Sequence, residues 1–173
     1  MKSDNAQYYG TISRALHWLM ALCFTFMLGT AVAWNMNEEY FSLMNYHKAM
    51  GFLLMILVVV RVIWAIKNRH NRPTAGNILV KLGHGALYFL MILVPLVGLL
   101  RQYGSARGDL SIFGITLLPA APEKIEWMNK LGGALHGEAA WVLFALAGGH
   151  ILFAIAHQIR GEKIINRMAG PRK

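Results

Sequence analysis

Residues 139–159 read AAWVLFALAGGHILFAIAHQI. Nothing in that run is Asp, Glu, Lys or Arg, and its length is about the ~20 residues a helix needs to cross ~30 Å of hydrocarbon. Three more runs share its character. Residues 15–34 (ALHWLMALCFTFMLGTAVAW) and 82–100 (LGHGALYFLMILVPLVGLL) carry no such charge, and residues 49–66 (AMGFLLMILVVVRVIWAI) carry only Arg61. Four apolar runs of this kind leave no water-facing elements for a soluble fold. The expected architecture is therefore all-α: a transmembrane four-helix bundle forming one integral-membrane domain over 1–173. Its spans are expected near 15–34, 47–66, 82–101 and 136–159. The first run is too long for the apolar core of a signal peptide, and no small-residue cleavage site follows it.

Composition agrees. Of the 173 residues, 56% are hydrophobic and only 14% charged, against about 25% charged in soluble domains. So apolar a chain is not disordered, and the single Cys23 rules out a disulfide framework or a cysteine zinc cluster. The net charge of +9 would suit nucleic acid only if it lay on a solvated basic face. It is divided by side instead. With the N-terminus in the cytoplasm, that side holds eleven basic residues: Lys2, Arg14, Lys67, Arg69, Arg72, Lys81, Arg160, Lys163, Arg167, Arg172 and Lys173. The opposite face holds five: Lys48, Arg101, Arg107, Lys124 and Lys130. The positive-inside rule puts both termini and the KNRHNRPTAG connection in the cytoplasm.

Residues 101–137 contain Gly104, Gly108, Gly114, Pro119 and Pro122, then an amphipathic stretch over 123–131. They are expected to form turns and a short interfacial helix on the outer face. The C-terminal RGEKIINRMAGPRK reads as a solvated basic tail near anionic headgroups. Trp18, Trp34, Trp64, Trp127 and Trp141 read as interface anchors, and Pro95 as a kink in the third helix.

The chemistry rests on histidine. Of seven, His17, His47, His84, His136 and His150 lie in or at the edges of spans, His157 lies at the cytoplasmic end of the fourth, and His70 lies in a loop. Ionisable groups at membrane depth are costly and mark function. His136 and His150 are fourteen residues apart, so they share one helix face to within ~40° and stand ~21 Å apart along it. In an antiparallel bundle His47 can meet His136 on the outer side and His17 can meet His150 on the inner side. Two neutral imidazoles from opposite sides suit six-coordinate haem iron. His157, seven residues beyond His150, shares that face and competes for His17, although it is ~31 Å from His136 along the helix.

Four motifs carry a family resemblance: ISRALHWLMAL, LMNYHKAMGFLLMILVVVRVIW, LGHGALYFLMILVPLVGLL and LHGEAAWVLFALAGGHILFAIAHQ. In order and spacing they resemble the bacterial four-helix di-haem cytochrome b561 family, over most of the chain. The resemblance implies a multi-pass protein of the bacterial cytoplasmic (inner) membrane with two haem b groups. Carried over by motif, His17 and His150 would bind the inner iron, and His47 and His136 the outer. His157 would then be free for a quinone contact, with ubiquinone as redox substrate.

Around that frame, Arg61 lies fourteen residues after His47 on the same face. No span contains an acid to pair with it, so it is a candidate partner for a haem propionate, with snorkelling to the headgroups as the alternative. Arg14 and Lys48 are further propionate candidates, and His84 reads as a hydrogen-bonded interior histidine. The resemblance to superoxide-oxidising members points to a superoxide:quinone oxidoreductase. The alternatives are a quinol-linked carrier for a periplasmic redox protein, an anchor subunit of a larger dehydrogenase or hydrogenase, and a histidine-lined proton-coupled transporter. Superoxide capture gains from a positive funnel. The outer face carries six acids against its five bases, so such a funnel depends on Lys48, Arg101 and Arg107 clustering. Nucleotide loops, nucleophile elbows and zinc-protease motifs are absent from the sequence.

Overall fold

A computed structural model describes residues 1–74, 76–112 and 114–170. Arg172 and Lys173, counted above on the cytoplasmic side, and Ala75 of the KNRHNRPTAG connection lie outside the described residues. Four helices dominate the described chain: α1 (Thr11–Met36), α2 (Met44–Lys67), α3 (Ile78–Gly104) and α4 (Glu126–Ile159). Each is long and apolar enough to cross a membrane. Short connections make sequential helices antiparallel neighbours. Asn37 caps the 3-10 turn Glu38–Leu43 ahead of α2 by accepting from the Glu39 amide at 2.9 Å. Asn77 caps α3 by accepting from Val80 N at 3.1 Å. Such caps supply acceptors for amides that the helix itself leaves unpaired.

The packing is uneven. α3 lies along α4, α1 along α2, and α2 against α3, whereas α1 and α4 scarcely approach each other through their backbones. The main cluster of buried apolar residues lies between α1 and α2, with Met20, Cys23 and Met27 from one helix and Leu54 and Val58 one turn apart on the other; Val94 and Val97 of α3 and Leu143 of α4 are buried as well. α3 and α4 also approach each other closely. A Cβ at Gly132 would collide with the Val97 carbonyl and the Arg101 side chain, and one at Gly104 with Met128. Small residues are what let membrane helices come this near.

Two expectations for the segments outside the spans are corrected. The amphipathic stretch 123–131 is not a separate interfacial helix; from Glu126 it is the opening of α4, which runs unbroken to Ile159. Glu126, Asn129 and Lys130 end the hydropathy of the span but not its helicity, and an acid in the first turn complements the helix dipole. The rest of that connection holds a small antiparallel hairpin, β1 (Leu110–Ile112) with β2 (Ile115–Leu118). Gly114 in its turn has φ +80, a conformation that side chains disfavour. Pro95 lies inside α3, which continues past it to Gly104.

The C-terminal segment is docked rather than solvated, at least as far as residue 170. Arg14 on α1 donates to the carbonyls of Gly170 (2.7 Å), Asn166 (3.1 Å) and Arg167 (3.1 Å). Trp18 Nε1 donates to Met168 O at 3.3 Å, and the Tyr9 amide to Arg167 O at 3.1 Å. Below this clasp the buried Asp4 accepts from Gly10 N and from Ser13 Oγ, and Ser13 Oγ in turn accepts from Trp64 Nε1 at 2.9 Å. The N-terminal residues, the start of α1 and the C-terminal turn thus form one hydrogen-bonded cap.

Neighbouring glycines give this packing a test of sign. Gly132→Ala should destabilise by about 1–3 kcal/mol through overpacking. Gly133→Ala, where nothing lies within 4 Å of the new carbon, should stabilise by up to about 1 kcal/mol through helix propensity. Thermal unfolding midpoints of the two variants in detergent should therefore move in opposite directions.

Candidate functional site

α4 is the spine of the site. Its His136 ring faces His47 of α2 with centroids 6.2 Å apart, and its His150 ring faces His17 of α1 with centroids 6.4 Å apart. His157 does not pair with His17. Its Nδ1 lies 2.8 Å from Glu162 Oε2, and its ring lies on Phe153 at 4.1 Å. The structure thus brings together the two histidine pairs that fourteen-residue spacing allows.

In the outer pair, both rings are oriented through Nδ1. Thr30, buried at 3% exposure, donates its hydroxyl proton to Met27 O at 2.9 Å and so accepts from His47 Nδ1 at 2.9 Å. His136 Nδ1 donates to Val94 O at 2.9 Å. With the proton fixed on Nδ1, each Nε2 keeps a lone pair, the arrangement metal-binding histidines use. Gly98, one turn beyond Val94, makes room: a Cβ there would stand 2.7 Å from His136 Cε1. Trp34 packs its edge on His47 at 4.8 Å, so it belongs to the site as well as to the interface.

The inner pair is arranged differently. Arg61 Nη1 lies 3.1 Å from His17 Nδ1 and its Nε donates to Tyr88 OH at 3.2 Å. A guanidinium only donates, so this contact leaves the His17 proton on Nε2. Arg61 therefore turns into the bundle rather than snorkelling. A third ring, His84 of α3, lies 5.4 Å from His150. Arg61 and Arg72 share with Ser13, Trp64 and Met168 the wall of a cavity of ≈ 10 Å³, room for one water. Arg14 is committed to the C-terminal clasp. On the outer side, Arg107 and Arg101 lie near enough to act electrostatically on Lys48, and Arg101 acts likewise on His136. Among the described residues no carboxylate forms an ion pair with any of these three cations.

A family model for prokaryotic cytochrome b561 matches residues 8–171. The chain belongs to that family. It is also 28% identical over 179 aligned positions to cytochrome b561 homolog 2 of Escherichia coli (strain K12), covering 97% of this chain and 94% of the relative. As a cytochrome b561, the chain is a transmembrane cytochrome b of electron transfer, and the family implies bound haem b. The donor set fits that group. Among the described residues no three metal-ligating side chains converge on one point; the bundle offers opposed imidazole pairs instead.

Several members of this site escape a reading of the sequence alone. Thr30, Val94, Gly98 and Tyr88 are ordinary span residues until the helices are set side by side, and Glu162 sits in a tail. Gly98→Ala should push the His136 ring off Val94 O, and Thr30→Val should remove the acceptor at His47 Nδ1. Nitrogen-15 spectra of the ring nitrogens in haem-free protein should show each hydrogen bond lost separately, with the other outer ring unchanged.

Proposed function

We propose that the protein binds two haem b groups, one between His17 and His150 and one between His47 and His136, and passes electrons across the bacterial cytoplasmic membrane. The observation that carries this reading is the separation of the ring centroids, 6.4 and 6.2 Å. Two imidazoles bonded to opposite sides of one metal at about 2 Å each have ring centroids about 6 Å apart. Gly148 and Gly149, next to His150, have no atom within 4 Å of where a Cβ would stand, which leaves uncovered backbone beside the inner pair. Haem bound at each pair supplies reversible one-electron chemistry.

The protein's own residues do the rest. Thr30 and Val94 hold the outer rings with Nε2 free. Loading the inner pair through Nε2 of His17 moves its proton to Nδ1, so Arg61 must leave that nitrogen. A propionate is the anion it would turn to. Arg14 is spent on the clasp, and Lys48 is the corresponding candidate on the outer side. The basic excess supports an orientation with the N- and C-termini cytoplasmic.

For the substrates we favour superoxide at the outer site and ubiquinone at the inner. The grouping of Lys48 with Arg101 and Arg107 gives a locally positive patch beside His47 and His136 on a face that is slightly acidic in sum. Such a patch raises the capture rate of a small anion. Each superoxide gives up one electron and leaves as dioxygen, and two electrons with two cytoplasmic protons convert a quinone to quinol. His157, oriented through Nδ1 by Glu162, is the candidate contact for the quinone oxygen.

Purified protein should show a b-type reduced-minus-oxidised spectrum and two haems per chain by pyridine haemochromogen; one or none would overturn the ligand assignment. His47→Ala or His136→Ala should remove only the outer haem. Superoxide generated anaerobically should reduce the haems faster than quinol does, and Lys48→Ala should slow that reduction about tenfold at low salt. His157→Ala should keep both haems and slow quinone reduction; unchanged quinone kinetics would remove it from the site.

A further inference from the structure

Rings cross from α4 to its neighbours at three levels. At the inner end His150 meets His17, and at the outer end His136 meets His47. Between them Phe144 of α4 meets Phe24 of α1 edge to face, with centroids 6.5 Å apart and planes at 89°. Phe24 is seven residues beyond His17, hence ~10 Å along α1 on nearly the same face. Phe144 stands eight residues after His136 and six before His150, close to midway between the two. Trp141, 6.0 Å from Phe144, backs the ring from its own helix. Both phenylalanines pack on the buried cluster of Met20, Cys23, Met27, Leu54 and Val58.

This midpoint contact is singular for where it lies. α1 and α4 have almost no backbone contact, so side chains alone fill the slot between them. The Phe24–Phe144 contact stands between the two histidine pairs and is backed by a buried core.

We propose that Phe24 and Phe144 form the partition between the two haem sites: positioning residues that keep the compartments separate and dry and provide the packed medium for electron exchange. The inference rests on the two-haem reading above. Each exchange oxidises one iron as it reduces the other, and no bond or proton changes at either ring. Electrons tunnel less readily across a void than through close-packed atoms, and interiors are packed to nearly crystalline density. Truncating either ring removes that medium and opens space for water. Leucine, apolar and nearly as large, preserves most of it.

The test uses the full chain in liposomes, with Phe24→Ala, Phe144→Ala and Phe144→Leu compared with wild type. A membrane-impermeant photoreductant outside reduces the outer haem, and arrival of the electron at the inner haem is followed by its absorbance. All variants should hold two haems per chain. Exchange should slow about tenfold in the alanine variants and stay within about twofold of wild type in Phe144→Leu. Wild-type exchange in an alanine variant that retains both haems would overturn the partition. So would loss of a haem in all three variants, since the rings would then be walls of a haem site. Fewer than two haems in the wild type would instead overturn the underlying reading.

Discussion

In hydrocarbon a lost side-chain hydrogen bond is not replaced by water, so a polar ring held there must find its partners within the bundle. The imidazoles of this protein are placed under that constraint. His136 uses the Val94 carbonyl and His47 uses Thr30, which itself leans on the Met27 carbonyl. Backbone oxygens of α3 and α1 therefore fix which nitrogen of each outer ring is bare. Gly98 belongs to the same arrangement, because the carbonyl is reachable only where α3 has no side chain in the way. The helices are the scaffold, but these few bonds set the direction of the chemistry.

The two ends of the bundle meet the constraint in opposite ways. At the outer end, neutral acceptors take the ring protons and the nearby cations Lys48, Arg101 and Arg107 stand apart from any ion-paired carboxylate. At the inner end a guanidinium itself occupies the ring nitrogen, tied also to Tyr88. One end thus groups cations close to its rings. The other holds a positive charge with which no carboxylate forms an ion pair among the described residues. Net charge by face, slightly negative outside, conceals this local arrangement.

The four spans and their antiparallel order were legible in the sequence because hydropathy persists over about twenty residues at a time; ring spacing over whole helical turns left His150 and His157 as rivals for His17, and only the family resemblance favoured His150. Arg61 was legible as an unpaired charge within a span. What stayed hidden depends on contact between remote segments. The first turns of α4 carry Glu126 and Lys130, which look like an interfacial piece unless the fit of Gly132 against Val97 is known. The hairpin strands are too short to show alternation. Basic residues in the last segment look solvated until Arg14 is seen to collect three of its carbonyls. Thr30 and Gly98 are unremarkable letters whose importance lies entirely in what stands opposite.

The clasp also bears on how the molecule is assembled. Its donor, Arg14, belongs to the first helix made, while its acceptors at Asn166, Arg167 and Gly170 follow the last. No earlier part of the chain can supply them. The end of the bundle that carries this clasp therefore stays unfastened while the chain is being made and shuts only when α4 is in place.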